Sequence, residues 1–128
     1  MFVERGFIRK LVTNDKQSEN LMAQKNQPGP PVRYVVVHTP GPAWQMGVDF
    51  RQQPGVGQHV EHYLDLHRQG KLELGGPFLI PDTGGMMVAT KEVELEEIET
   101  FAAADPAVHS GLLQFEIRPW YTPMERPA

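Results

Sequence analysis

Five histidines, sixteen carboxylates and no cysteine bound the chemistry open to this 128-residue chain. Without cysteine there is no thiolate nucleophile, no thiolate metal site and no disulfide framework. The chain has no Gly-x-Ser-x-Gly elbow, no Walker loop and no glycine-rich dinucleotide fingerprint after a strand. Ser110 and the threonines have no evident base, so covalent catalysis is not expected. General acid–base work by a histidine paired with a carboxylate is what the residue set supports.

The histidines differ in position. His59 and His62 are spaced i, i+3 at the start of a helical pattern. A metal would need further ligands, and neither a His-Glu-x-x-His motif nor a His/Cys set is present, so no metal and no cofactor is expected. His67 lies on an apolar stripe near a helix C-terminus, where a cation is favoured, and reads as a packed or capping residue. His38 ends the first strand, a place where side chains line clefts and where structural histidines are equally common. His59 follows Pro54-Gly55-Val56-Gly57-Gln58 and lies in a first helical turn. The helix dipole there keeps an imidazole neutral and able to accept a proton. The plain alternative is a solvent-exposed first-turn histidine. Asp105 precedes Pro106 at the end of a second helical pattern, where the dipole disfavours a carboxylate. It needs a compensating histidine or backbone donors, or else marks a helix-stop turn.

The elements that must position these groups are legible in the hydrophobic pattern. Tyr34-Val35-Val36-Val37 is a β-branched and aromatic strand. Thr39–Pro54 holds three prolines and two glycines and reads as a long loop. Val60, Tyr63, Leu64 and His67 form an i, i+3, i+4, i+7 stripe, stopped by Gly70. Leu72 and Leu74 open a second strand expected to run to about Ile80, with Gly75-Gly76 marking a bulge or a close backbone approach. Pro81-Asp82-Thr83-Gly84-Gly85 is hairpin-turn chemistry. Met86–Thr90 is a third strand. Leu95, Ile98, Phe101 and Ala102 define a second helix whose first turns carry Glu94, Glu96 and Glu97. Leu113, Phe115 and Ile117 alternate with polar residues in a last strand.

Strand, helix, strand, strand, helix, strand is the ferredoxin-like βαββαβ order, an α+β fold with a four-stranded antiparallel sheet and two helices on one face. Val35–Val37 and Met86–Val88 put apolar side chains on both faces of that sheet. Pairing of two copies sheet on sheet, as a homodimer, is the simplest cover for the second face.

The net charge of −4 argues against a nucleic-acid partner. No apolar run approaches the roughly 20 residues of a membrane span. No secretory leader is recognisable, so a cytoplasmic location is expected. Residues 1–32 carry a net +2 and end in Gln27-Pro28-Gly29-Pro30-Pro31, a linker composition. They read as a flexible arm, or as a segment that packs on a partner subunit. The folded domain then spans 33–120, with a proline-bearing tail over 121–128.

Two stretches resemble a known family. Gln58-His59-Val60-Glu61-His62-Tyr63-Leu64-Asp65-Leu66-His67-Arg68-Gln69-Gly70-Lys71-Leu72-Glu73-Leu74-Gly75-Gly76-Pro77 is similar to the signature of the YCII (YciI-like) family, in which a histidine opens a helix and a Gly-x-Leu stretch leads to Gly-Pro. Asp105-Pro106-Ala107-Val108-His109-Ser110-Gly111-Leu112 resembles the family's Asp-Pro-x-Val-x-x-Gly-Leu, followed by a strand ending in Pro119-Trp120. The resemblance covers residues 33–120. It implies a ferredoxin-like fold assembled as a dimeric α/β barrel and an active site of one histidine and one aspartate, carried over to His59 and Asp105. It implies lyase, isomerase or dehydrochlorinase-like chemistry on a small cyclic or aromatic molecule, without a cofactor. His38 and Phe78 are candidates for the substrate-binding wall. Trp44 and Phe50, in the loop before the helix of His59, are placed to shape the same pocket. The competing expectation is a non-catalytic dimeric module that binds a small ligand or regulates a partner, with His59 and Asp105 as a structural tie between helices.

Overall fold

The computed structural model describes residues 31–128, so the expected N-terminal arm lies, but for its last two residues, outside the described residues. Arg33–Trp120 forms one compact unit. Strand β1 (Val32–Pro40) is followed by a 3₁₀ turn at Phe50–Gln52 and helix α1 (Val56–Arg68). Strands β2 (Leu72–Pro77) and β3 (Gly85–Ala89) form a hairpin, helices α2 (Leu95–Ala103) and α3 (Pro106–His109) follow, and β4 (Leu113–Tyr121) closes the order. The strands form one antiparallel sheet in the order β2-β3-β1-β4, the ferredoxin-like arrangement expected from the element order.

Register decides what each strand offers the helices. His38 pairs with Gly85 and Val36 with Met87, while Val35 pairs with Val88 and Val37 with Met86. His38 touches side chains of α1, so Val36 and His38 share the helix-covered face and Val35 and Val37 the opposite one. On the covered face Val36, Tyr63, Leu66, Ile98, Ala102 and Leu112 are at most 2% exposed and make the core.

Local chemistry sets the ends. Gly55, at φ 95°, caps the start of α1, and Gly70, at φ 75°, turns the chain after its end. Beyond β2, Gly84 adopts φ 84° with its Cα against the β1 backbone; a Cβ there would sit 1.9 Å from the His38 carbonyl oxygen. Gly75 is a close approach of the expected kind, since a Cβ would meet the Met87 sulfur at 2.3 Å. The register of β2 on β3 shifts between Leu72 and Leu74.

Three expectations are corrected. Strand β2 stops at Pro77 rather than near Ile80, because Phe78–Gly84 turns out of the sheet through the left-handed residues Asp82 and Gly84. A third, one-turn helix follows α2. The second helix ends at Ala103, and Asp105, extended at φ −62°, ψ 123°, begins α3 with Pro106 in its first turn. Asp105 is therefore an N-cap, whose carboxylate accepts from the Ala107 N–H at 2.9 Å, and not a misplaced carboxylate at a helix C-terminus. Finally, the buried face of α1 is His59, Tyr63 and Leu66. Val60 and Leu64 are 47% and 38% exposed, and His67 is exposed rather than packed. Two stripes at helical spacing lie side by side on α1: one meets the core, and the other, offset by one residue, faces a cavity.

Candidate active site

Three elements bring the expected dyad together. His59 lies in the first full turn of α1, its backbone N–H bonded to the Gly55 carbonyl. Asp105 lies in the α2–α3 corner, and His38 on the covered face of β1. His59 Nδ1 donates to Asp105 Oδ2 at 2.6 Å, across 46 residues of sequence. Asp105 Oδ1 is held by the Ala107 N–H. An ionised carboxylate only accepts, so its bond fixes the proton of neutral His59 on Nδ1 and leaves the lone pair on Nε2. No hydrogen-bond partner within the described residues engages Nε2.

His38 and Tyr63 complete the floor. His38 Nε2 lies 3.8 Å from Asp105 Oδ2 and shares a long hydrogen bond, 3.4 Å, with the Tyr63 hydroxyl. Its ring meets both His59 and Tyr63 edge-on, at 4.8 and 5.4 Å between centroids, and Tyr63 tilts against His59. His38 and Asp105 are 2% and 0% exposed. Burial, with His59 adding to it, pushes the His38 imidazole down to about 3 and holds it neutral. Burial pulls the Asp105 carboxyl upward, but hydrogen bonds from His59 and Ala107 outweigh it and keep the group below its usual range. Burial, and then the Asp105 charge, raises the Tyr63 phenol, which stays protonated.

The dyad opens onto a cavity of about 770 Å³. Its walls come from the second stripe of α1 (Val60, Leu64), from β2 (Leu72) and from the hairpin connection (Phe78, Ile80). Trp44 and Phe50 line its mouth, as does Phe78, which is 41% exposed. Two side chains without any chemical signature in the sequence organise that mouth. The Gln53 amide, buried, accepts from the Gln45 N–H and donates to the Gln45 and Val48 carbonyls, folding the long loop on itself. Asp82 accepts from the Trp44 indole at 2.8 Å and from the Gly47 N–H, tying that loop to the hairpin. These bonds join residues far apart in sequence or within an irregular loop, where periodicity carries no information.

His62, the i+3 neighbour of His59, does not join the site. Its Nε2 donates to the Phe101 carbonyl at 2.7 Å and its ring stacks on Phe101, tying α1 to α2. Among the described residues, the group able to hold an ion is His38, His59 and Asp105, whose ligand atoms lie within 4.8 Å of one another. Donors to a tetrahedral ion sit about 3.3 Å apart. At 2.6 Å, His59 and Asp105 are at hydrogen-bond spacing, and the pair would have to open to admit an ion.

A model of the YCII-related domain matches residues 32–121. The chain belongs to the YCII-related domain family. No curated protein matches it. Within this YCII-related domain, the match spans every element that builds the site, from β1 with His38 to the α2–α3 corner with Asp105. No helix of the described residues is long and apolar enough to cross a membrane.

Proposed function

We propose that this YCII-related domain is an enzyme of lyase or isomerase type that moves a proton on a small cyclic or aromatic molecule. The reading rests on one observation: a 2.6 Å bond from His59 Nδ1 to a fully buried carboxylate, at the floor of a cavity, with Nε2 unengaged. In the proposed step Nε2 takes a proton from an acidic C–H or O–H of the bound molecule. Asp105 stays ionised, orients the ring and stabilises the imidazolium. The imidazolium then returns the proton to another atom of the same molecule, or to a leaving group. The step needs no cofactor. His38, neutral and beside both partners, keeps a competing positive charge away from the imidazolium.

The test is hydrogen–deuterium exchange at the acidic carbons of 2-tetralone, an uncharged ring ketone, followed by NMR in D₂O. The protein should accelerate exchange, and His59→Gln should lower the rate by about 10²–10⁴-fold with the fold intact. Exchange no faster than in buffer, or a fully active variant, contradicts the reading.

A second reading has its own support. Asp105 Oδ1 caps α3 while Oδ2 holds α1, so the pair would also serve a non-catalytic ligand-binding module as a tie between helices. Under that reading Asp105→Asn lowers the melting temperature and no turnover is found. In either case we infer a homodimer, supported by the half-buried apolar residues Val37 and Met86 on the face of the sheet away from the helices.

A further inference from the structure

The charges around the cavity narrow what it can take. Among the described residues its lining holds three carboxylates, Asp49, Glu73 and Asp82, and a single permanent cation, Arg51. Arg51 is engaged: its Nε and Nη2 meet the two oxygens of Asp49 at 3.0 and 3.1 Å, in bidentate geometry, on an exposed part of the rim. The floor adds no permanent cation: His38 is neutral, Asp105 is an anion directly beneath His59, and His59 carries a positive charge only once it has taken a proton. Glu73 is likewise paired, with Arg33 at 3.0 Å, so a carboxylate or phosphate bound over His59 would face the two carboxylates without a cationic partner, Asp105 and Asp82, with no free guanidinium in the lining to neutralise it. The walls, by contrast, are apolar: Val60, Leu64, Leu72 and Phe78 line a space large enough for one or two rings.

We propose that the site binds an uncharged, ring-bearing molecule with one hydroxyl or carbonyl group, seated with its apolar body along Val60, Leu64, Leu72 and Phe78 and its polar group at His59 Nε2, and that it rejects the corresponding carboxylic acid. The proposal rests on the dyad reading for the polar end and on the walls for the rest. Specificity here comes from leaving an anion unpaired rather than from added contacts to the favoured ligand.

The test compares two probes of one shape, 2-naphthol and 2-naphthoate, at pH 7.5 with the full chain. Affinity is read by NMR titration, using the Trp44 indole N–H and the Leu64 methyl signals to locate binding. Naphthol is expected to bind at least tenfold more tightly than naphthoate. Leu64→Lys, at a half-exposed position that tolerates a long side chain, adds a cation to the wall and should reverse the preference. Naphthoate binding as tightly as naphthol, or no binding of either probe to millimolar concentration, overturns the proposal. Failure of the dyad reading is seen separately: the naphthol preference retained, with no acceleration of 2-tetralone exchange, supports the substrate class while removing the catalytic role of His59.

Discussion

The floor and the wall of the cavity are built on opposite terms. On the floor, Asp105 and His38 are at most 2% exposed, and both Asp105 oxygens have named donors. On the wall, Leu79 and Ile80 are 90% and 69% exposed, and the hairpin connection is held to its neighbour through Asp82. A buried polar group tolerates no loss of its partner, because the partner left behind stays desolvated. An exposed apolar residue contributes little to folding and can be exchanged. The arrangement separates a fixed proton-transfer centre from a surface that sets what is presented to it.

The contrast breaks most visibly at Asp105. Asp105→Ala removes the α3 cap and strands His59, and should cost about 3–5 kcal/mol in urea denaturation. A loss below about 1 kcal/mol would show that the floor is no more demanding than the wall.

A smaller effect comes from pH. His38 titrates at about 3 in the fold against 6.5 unfolded. Between those values the unfolded chain binds a proton that the folded chain refuses. This contribution is complete above about pH 6.5 and declines as pH falls toward 3, by on the order of a few kcal/mol. The lowered Asp105 carboxyl acts in the same direction at the acid end: its contribution is present above the ordinary carboxylate range and disappears as pH falls through its folded value. Urea midpoints measured from pH 7 to pH 4 should fall steadily, and His38→Asn should flatten the upper part of that slope. An unchanged slope in the variant would assign the acid sensitivity elsewhere.

At the mouth, Asp82→Ala should cost only about 1 kcal/mol, since its acceptor sits on a part-buried edge where water can replace it. The Trp44 fluorescence should shift as its indole N–H loses its partner. A cost like that of Asp105→Ala would extend the rigid floor to the rim.

These differences also explain what the sequence revealed. The β-branched run of β1, the alternation of β4 and the stripe of α2 are local patterns, and they led to the element order and hence the sheet. By position alone His59 reads equally as an exposed first-turn histidine and Asp105 as a helix-stop turn; the resemblance to the family signature is what singles out the pair. The true role of Asp105 was hidden, because a four-residue helix is too short to leave a periodic pattern and Asp-Pro reads equally as a stop or as a start. On α1 the offset stripe of Val60, Leu64 and His67 looked like core because an apolar cavity wall and a core face have the same spacing. Tyr63 was visible only as an apolar position, while its hydroxyl contact to His38 depends on bringing β1 against α1. Gln53 and Asp82 act through tertiary contacts that no local pattern encodes.

The most direct test of the dyad is the ¹⁵N NMR spectrum of the His59 ring, in the unmodified protein and in Asp105→Asn, at a pH where the ring is neutral. The proton is expected on Nδ1 and the lone pair on Nε2 in the unmodified protein, with a mixture of tautomers once the carboxylate is replaced. A ring with its proton on Nε2, or the same mixture in both proteins, would contradict the account, because the nitrogen facing the cavity would then not be the one held ready to take a proton.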